Sequence, residues 1–291
     1  MPAIVNYSDE RTLVMPNPTS KRAVQGPAVA GLFYTSDPIQ LSAKVRGFIA
    51  AGRNSTGRSA GGRQEPPPRA LIAPHAGYVF SGAVAGSAYA ALANASSGFD
   101  RVLLLGPAHR VPVRGVAASS AAAFETPLGQ VPVDQAEVER MLAEHSGLQR
   151  LDAAFDNEHC IEVQLPFLQE LLEGFQLVPL LVGAADAAQV ADILAPHWDR
   201  DATLIVISSD LSHYLDYPTA QALDRRTSEA IRTLHPEQIA PDQACGRDAI
   251  AGLLQLAAAR GATGRVLDLR NSGDTAGPRD RVVGYGAYAF S

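Results

Sequence analysis

VLLLGPAH, residues 102–109, decides how the rest of the chain is read. Four consecutive aliphatic residues are too few for a buried helix and suit a strand covered on both faces; Gly106-Pro107 then stops it. A histidine follows directly. Two more runs repeat the pattern, ALIAPH at 70–75 and LIVISSDLSH at 204–213. Residues 177–182, 265–269 and 282–290 complete the strand candidates. Helical periodicity lies between them at 82–93, 135–145, 162–173, 187–195 and 247–259. Pro166 is expected to kink the third of these or to end its first turn. Ser36-Asp37-Pro38 marks the start of one earlier helix, with Leu41, Val45 and Ile49 on one face. Strands alternating with helices predict an α/β fold of three layers, α/β/α, around a mainly parallel or mixed central sheet.

Residues 1–26 are polar and aperiodic, and read as a loosely ordered N-terminal extension to a single domain over 27–291. AGRNSTGRSAGGRQEPPPR, residues 51–69, reads as a flexible surface loop, because too little chain precedes it to form a domain.

Composition removes several function classes. The chain has 24 Lys and Arg against 30 Asp and Glu, a net charge of −6, and no dense basic run. That pattern argues against a nucleic-acid partner. No stretch is apolar enough to span a bilayer, and the N-terminus lacks the basic start and apolar core of a secretory signal. Two cysteines, Cys160 and Cys245, make no disulfide scaffold, so a cytoplasmic thiol or metal ligand is the expectation.

The chemistry collects where strands end. His75, His109 and His213, three of seven histidines, follow the three quoted runs, and open α/β sheets bind ligands in the crevice beyond the carboxyl ends of their strands. Asp210, three residues before His213, suits either orientation of an imidazole or water, or the N-cap of a following helix. Cys245, in QACGRDAIAGLL, sits where a helix begins, a position that favours thiolate. Arg247 either adds to that effect or is solvated. Cys160 reads as a small buried residue. Tyr78 and Tyr214 read as wall residues or as phenols offered to a ligand. Placement alone supports His75, His109 and His213 equally and leaves Cys245 a thiol at a helix start.

Five segments in order, APHAGYVFSG (73–82), LGPAHR (105–110), EHCIEVQLPFL (158–168), SSDLSHY (208–214) and ACGRDAI (244–250), resemble the signature segments of the Memo family. Its bacterial and archaeal members are labelled AmmeMemoRadiSam system protein B. The likeness runs from about Ala28 to the C-terminal GYGAYAF. It implies a fold similar to LigB-type class III extradiol dioxygenases, and a metal held by His75, His109 and Cys245. It also places Asp210 and His213 in the same pocket, His213 as general acid–base. Glu158 and His159 fall in a family motif without a role of their own. Cys160 stands where the family more often has Ser, and the 51–69 loop is longer than usual.

Two imidazoles and a thiolate suit iron, Fe(II) first, or copper or zinc, and exclude calcium and magnesium. The resemblance therefore implies a metal-dependent oxidoreductase, dioxygenase-like, acting on a small aromatic or otherwise oxidisable molecule. Two alternatives stand beside it. One is a non-catalytic metal-binding component of a modification system with radical-SAM and AMMECR-like partner proteins. The other is a thiol hydrolase with Cys245 as nucleophile. Serine hydrolysis is less attractive, since no G-x-S-x-G elbow occurs.

Overall fold

The computed structural model describes residues 24–55, 66–93 and 98–291. It opens with strand β1 (Val24–Gln25) and helix α1 (Pro38–Ser55), whose first turn is capped by Asp37 Oδ1 accepting from Gln40 N–H at 2.9 Å. Strand β2 (Ala70–Ala73) leads into α2 (Tyr78–Ala90), and β3 (Arg101–Pro107) into the short strands β4 (Val116–Ala118), β5 (Ala123–Thr126) and β6 (Gly129–Pro132). Next come α3 (Gln135–Glu144), β7 (Leu148–Arg150), α4 (Leu165–Leu171), β8 (Gln176–Val182), α5 (Ala187–Trp198) and β9 (Thr203–Ser208). The chain closes through β10 (His213–Leu215), α6 (Tyr217–Arg232), α7 (Arg247–Ala259), β11 (Gly264–Asn271) and β12 (Val282–Phe290).

The large sheet runs β10-β12-β2-β9-β3-β8-β4-β7, with β11 also on β12. Neighbours β2, β9, β3 and β8 are parallel, whereas β12 is antiparallel to β2 and β4 to β8, so the sheet is mixed. Every residue of β2 and β9 is buried, as unbroken apolar runs require when both faces are covered. Helices α1, α2 and α4 pack together with α2 on β2 and β12, and α5 pairs with α7 over β9 and β3. The α1–α2 crossing is close: a Cβ on Gly86 would lie 2.5 Å from the Phe48 carbonyl oxygen. No helix among the described residues is long and apolar enough to cross a membrane.

Several sequence expectations shift at their edges. Helix α1 continues through residues 51–55, so the expected loop begins later; residues 56–65 and 1–23 lie outside the described residues. Val24–Gln25 is not part of a loose extension: it pairs with β5, and buried Gln25 donates to the Phe155 carbonyl at 3.2 Å. Pro166 sits in the first turn of α4 after a short 3-10 turn, where its missing N–H costs nothing. Helix α6 was not anticipated, because its moderate polarity and Tyr217-Pro218 start resemble a loop.

Candidate metal centre

Because β2, β9 and β3 are neighbours, their carboxyl ends share one edge of the sheet, and the residues just beyond them meet there. His75 follows β2, Ser208 ends β9 with Asp210 beyond it, and His109 follows β3. Cys245 arrives from the turn before α7, and Glu158, His159 and Cys160 from the turn before α4.

Hydrogen bonding fixes the tautomers of two imidazoles. Ser208 Oγ donates its single proton to the Cys160 carbonyl at 2.7 Å and accepts from Gln164 Nε2 at 2.8 Å. His75 Nδ1, 2.9 Å from the same oxygen, must therefore be the donor, which leaves Nε2 bare. That bare nitrogen lies 3.4 Å from Cys245 Sγ. His109 Nδ1 faces Glu158 Oε1 at 2.9 Å, and the His109 backbone N–H donates to Oε2 at 2.7 Å. Burial alone would raise the Glu158 carboxyl, but His109 and backbone N–H groups hold it down at about 2, so it only accepts. His109 Nε2 is then the atom available to a metal. An imidazole anchored through one nitrogen and bare at the other is the usual arrangement of a metal-binding histidine.

Ligand atoms of His75, His109 and His159 lie within 4.8 Å of one another. The His159 ring stacks on His109, centroids 5.1 Å apart, and meets His75 edge-on at 5.4 Å. Its buried Nδ1 makes no hydrogen bond, the Glu158 Oε1 carboxylate oxygen lying 3.4 Å away. Burial, with His109 close by, pushes His75 down to about 3, and burial beside His75 takes His159 to about 4; both are neutral at pH 7. Burial and the nearby Asp210 carboxylate push the Cys245 thiol up to about 12. A position before a helix therefore does not by itself make Cys245 a thiolate here, and Arg247 does not help: it donates to the Ile239 carbonyl and pairs with Asp248.

His75 Nε2 and Cys245 Sγ are spaced to share a transition metal, but the ligand atoms of His75, His109 and Cys245 do not all lie within 4.8 Å of one another as those of His75, His109 and His159 do. Bonds of about 2.1 Å to nitrogen and 2.3 Å to sulfur at a tetrahedral angle set the two donors roughly 3.5 Å apart, close to the observed separation. Neutral imidazoles are the ligating form, and a metal would displace the thiol proton.

Asp210 is no helix cap. Its Oδ1 accepts the His75 backbone N–H at 2.8 Å, its own N–H points at Cys245 Sγ at 3.3 Å, and the next helix, α6, is capped by Asp216. Burial raises its carboxyl above the ordinary range, opposed by the His75 N–H. Cys160 is fully buried, its Sγ donating to the Pro107 carbonyl at 3.3 Å. Gly106 is needed there, since a Cβ would lie 2.4 Å from that sulfur. Tyr78 is also structural, donating from inside the core to the Val163 carbonyl at 2.8 Å.

A cleft of about 650 Å³ opens above this floor, lined by His75, His109, His159, Asp210 and His213. Leu32 and Phe33 stand at its mouth on a segment clamped by Glu162, whose carboxylate accepts from Val29 N–H, Ala28 N–H and the Tyr34 hydroxyl. On the far side Tyr214, in the left-handed region at φ +61°, is exposed beside Arg281. Sequence reasoning left Glu158 and His159 without roles and did not single out Ser208 or Gln164. An acid and an imidazole side by side before an amphipathic run was the one available signal.

The model of the Memo-like protein family matches residues 25–289. A MEMO1 family protein of Methanopyrus kandleri is 34% identical over 284 residues, covering 91% of this chain and 98% of that one. One from Saccharolobus solfataricus is 33% identical over 281 residues with the same coverage. Among solved structures, an uncharacterized protein of Escherichia coli K12 matches with a TM-score of 0.50 at 13% identity, covering 76% of this chain and 98% of that one. That likeness concerns the fold alone.

Proposed function

Because the chain belongs to the Memo family, we propose that it is a metal-dependent redox protein, binding a transition-metal ion, Fe(II) before copper or zinc, through His75, His109 and Cys245. What carries this reading is the pair of anchored imidazoles: Ser208 and Glu158 each occupy a Nδ1, and the freed His75 Nε2 meets Cys245 Sγ at 3.4 Å. The ion would supply Lewis acidity and a route for electrons at the floor of the cleft.

The chain's own residues have separate tasks. Glu158 and Ser208 orient the two imidazoles. Asp210 holds the His75 backbone and directs its N–H at the sulfur, a contact that favours thiolate once the proton is displaced. His213 lines the cleft, where an imidazole can exchange a proton with a bound molecule. The thiol-hydrolase alternative is disfavoured on chemical grounds. Burial lowers the nearest base to Cys245, His75, and raises the thiol itself, so both shifts oppose proton transfer between them.

Elemental analysis of protein purified without added metal tests the proposal. About one ion per chain is expected, falling at least tenfold in His75→Ala and in Cys245→Ser. Equal metal in wild type and His75→Ala would end the reading. Fast alkylation of Cys245 in as-purified protein would point to an unprotected nucleophile instead.

A further inference from the structure

We propose that the ligand of this cleft is a small organic anion with an apolar body, its acid group held at the mouth by Arg281, with Arg110 adding positive charge to the lining. The inference rests on the metal-site reading only for the location of the chemistry. In a chain of net charge −6, the cleft lining carries two arginines and one acid, Asp210. Asp210 lies at the floor with one oxygen already accepting the His75 N–H, so it does not neutralise the mouth.

Neither arginine is paired with a carboxylate among the described residues. Arg110 Nε donates to the Asn157 carbonyl at 3.3 Å, which places the guanidinium without neutralising it. The Arg281 guanidinium lies 5.1 Å over the Tyr214 ring. Other arginines here, such as Arg101, Arg140, Arg260 and Arg270, have an acidic partner, whereas these two face the cleft without one. Stacking on an aromatic face orients a guanidinium while leaving its N–H fork free for an oxyanion.

The walls point to the body of the ligand. Leu32, Val79 and Tyr214 are 81, 57 and 63% exposed around the opening, large apolar surfaces that a purely inorganic anion would leave wet. Tyr214 is also held at φ +61°, a backbone conformation unfavourable for an aromatic residue and typical of positions kept for a ligand. A volume of about 650 Å³ suits a molecule of one or two rings.

The test compares 3-phenylpropanoate with its neutral primary amide, by ligand-detected NMR on the full chain, both zinc-loaded and metal-free. The acid is expected to bind about tenfold more tightly than the amide, the difference a charge-assisted contact makes at a partly exposed site. Arg281→Gln should reduce that preference to about twofold without weakening the amide, and Arg281→Lys should restore part of it. Equal binding of acid and amide, no binding of the acid at all, or an Arg281→Gln effect equal on both would overturn the proposal. A preference that vanishes with His75→Ala but survives Arg281→Gln would assign the anion to the metal and also overturn it. An Arg281-dependent preference that persists in protein unable to bind metal would uphold this inference while the metal reading fails.

Discussion

The floor and the mouth of the cleft are built by different rules. On the floor His75 and His109 each have a ring nitrogen engaged by a buried partner, and Asp210 and Cys245 are tied to the same network through backbone N–H groups. At the mouth Tyr214, on a three-residue edge strand paired with β12, and Arg281, just before β12, are exposed and meet through one ring contact. The floor is preorganised, as metal binding demands, because each ligand atom must arrive within a few tenths of an ångström. The mouth is left adaptable, as a binding rim for a flexible molecule can be.

Breaking the floor should cost most. Glu158→Gln removes the ionised acceptor for His109 Nδ1 and for its backbone N–H, and should weaken metal binding about 10–100-fold by competition with a chelator. It should also alter acid sensitivity. With its folded-state value near 2, Glu158 contributes stability that is present above about pH 4.5 and lost as pH falls toward 2, so the wild type's advantage over Glu158→Gln should shrink in acid. An unchanged metal affinity would show that His109 needs no anchor.

Packing under the floor comes next. Gly106→Ala would drive a methyl group toward Cys160 Sγ between fixed strands, and should destabilise by about 2–3 kcal/mol in urea titration. Gly106→Ala combined with Cys160→Ala should recover part of that loss. Absence of recovery would place the strain elsewhere.

The mouth is tethered from beneath by Asp224, whose carboxylate accepts the Ser212 N–H at 3.1 Å and which burial raises to about 6. A folded-state value above the unfolded one near 4 favours the folded chain below that value, and the benefit disappears as pH rises through 6. Asp224→Asn should therefore stabilise by about 2 kcal/mol at pH 8 and by little at pH 4. A gain of equal size at both would deny the burial argument. The smallest effect is expected at Tyr214. Replacing it with Gly relieves the left-handed backbone but loosens the unfolded chain, so stability should stay within about 1 kcal/mol of wild type. A larger loss would mean the ring is packed rather than displayed.

The same contrast explains what the sequence discloses. Strands β2, β3, β8, β9 and β12 are unbroken apolar runs because they are covered on both faces, and that pattern is local. So are the histidines at their ends, which the α/β rule gathers on one edge. The antiparallel joins of β12 and β4 depend on long-range pairing that no local run encodes, and β4 to β7 are too short for a periodic signal. Cys245 entered the ligand set only through family resemblance, since it lies beyond α6 and its approach to His75 spans 170 residues. Ser208 and Gln164 were invisible because their role is to fix a tautomer, which depends on geometry rather than on residue type. The mouth was hardest to read: Leu32, Arg110 and Arg281 come from three separate loops and Tyr214 from a short edge strand.

The central claim is that sulfur and imidazole share one metal. Two sets of third ligand compete, Cys245, 3.4 Å from His75 Nε2, and His159, within 4.8 Å of both other histidines. His159 Nδ1 makes no hydrogen bond, Glu158 Oε1 standing 3.4 Å off, so it is held less firmly than His75 and His109, which argues for the thiolate. X-ray absorption on the metal-loaded full chain separates them. One sulfur scatterer at about 2.3 Å with at least two nitrogens near 2.1 Å is the predicted result, and the sulfur shell should vanish in Cys245→Ser. A wild-type shell of nitrogen and oxygen alone would contradict the account and assign the metal to the three histidines.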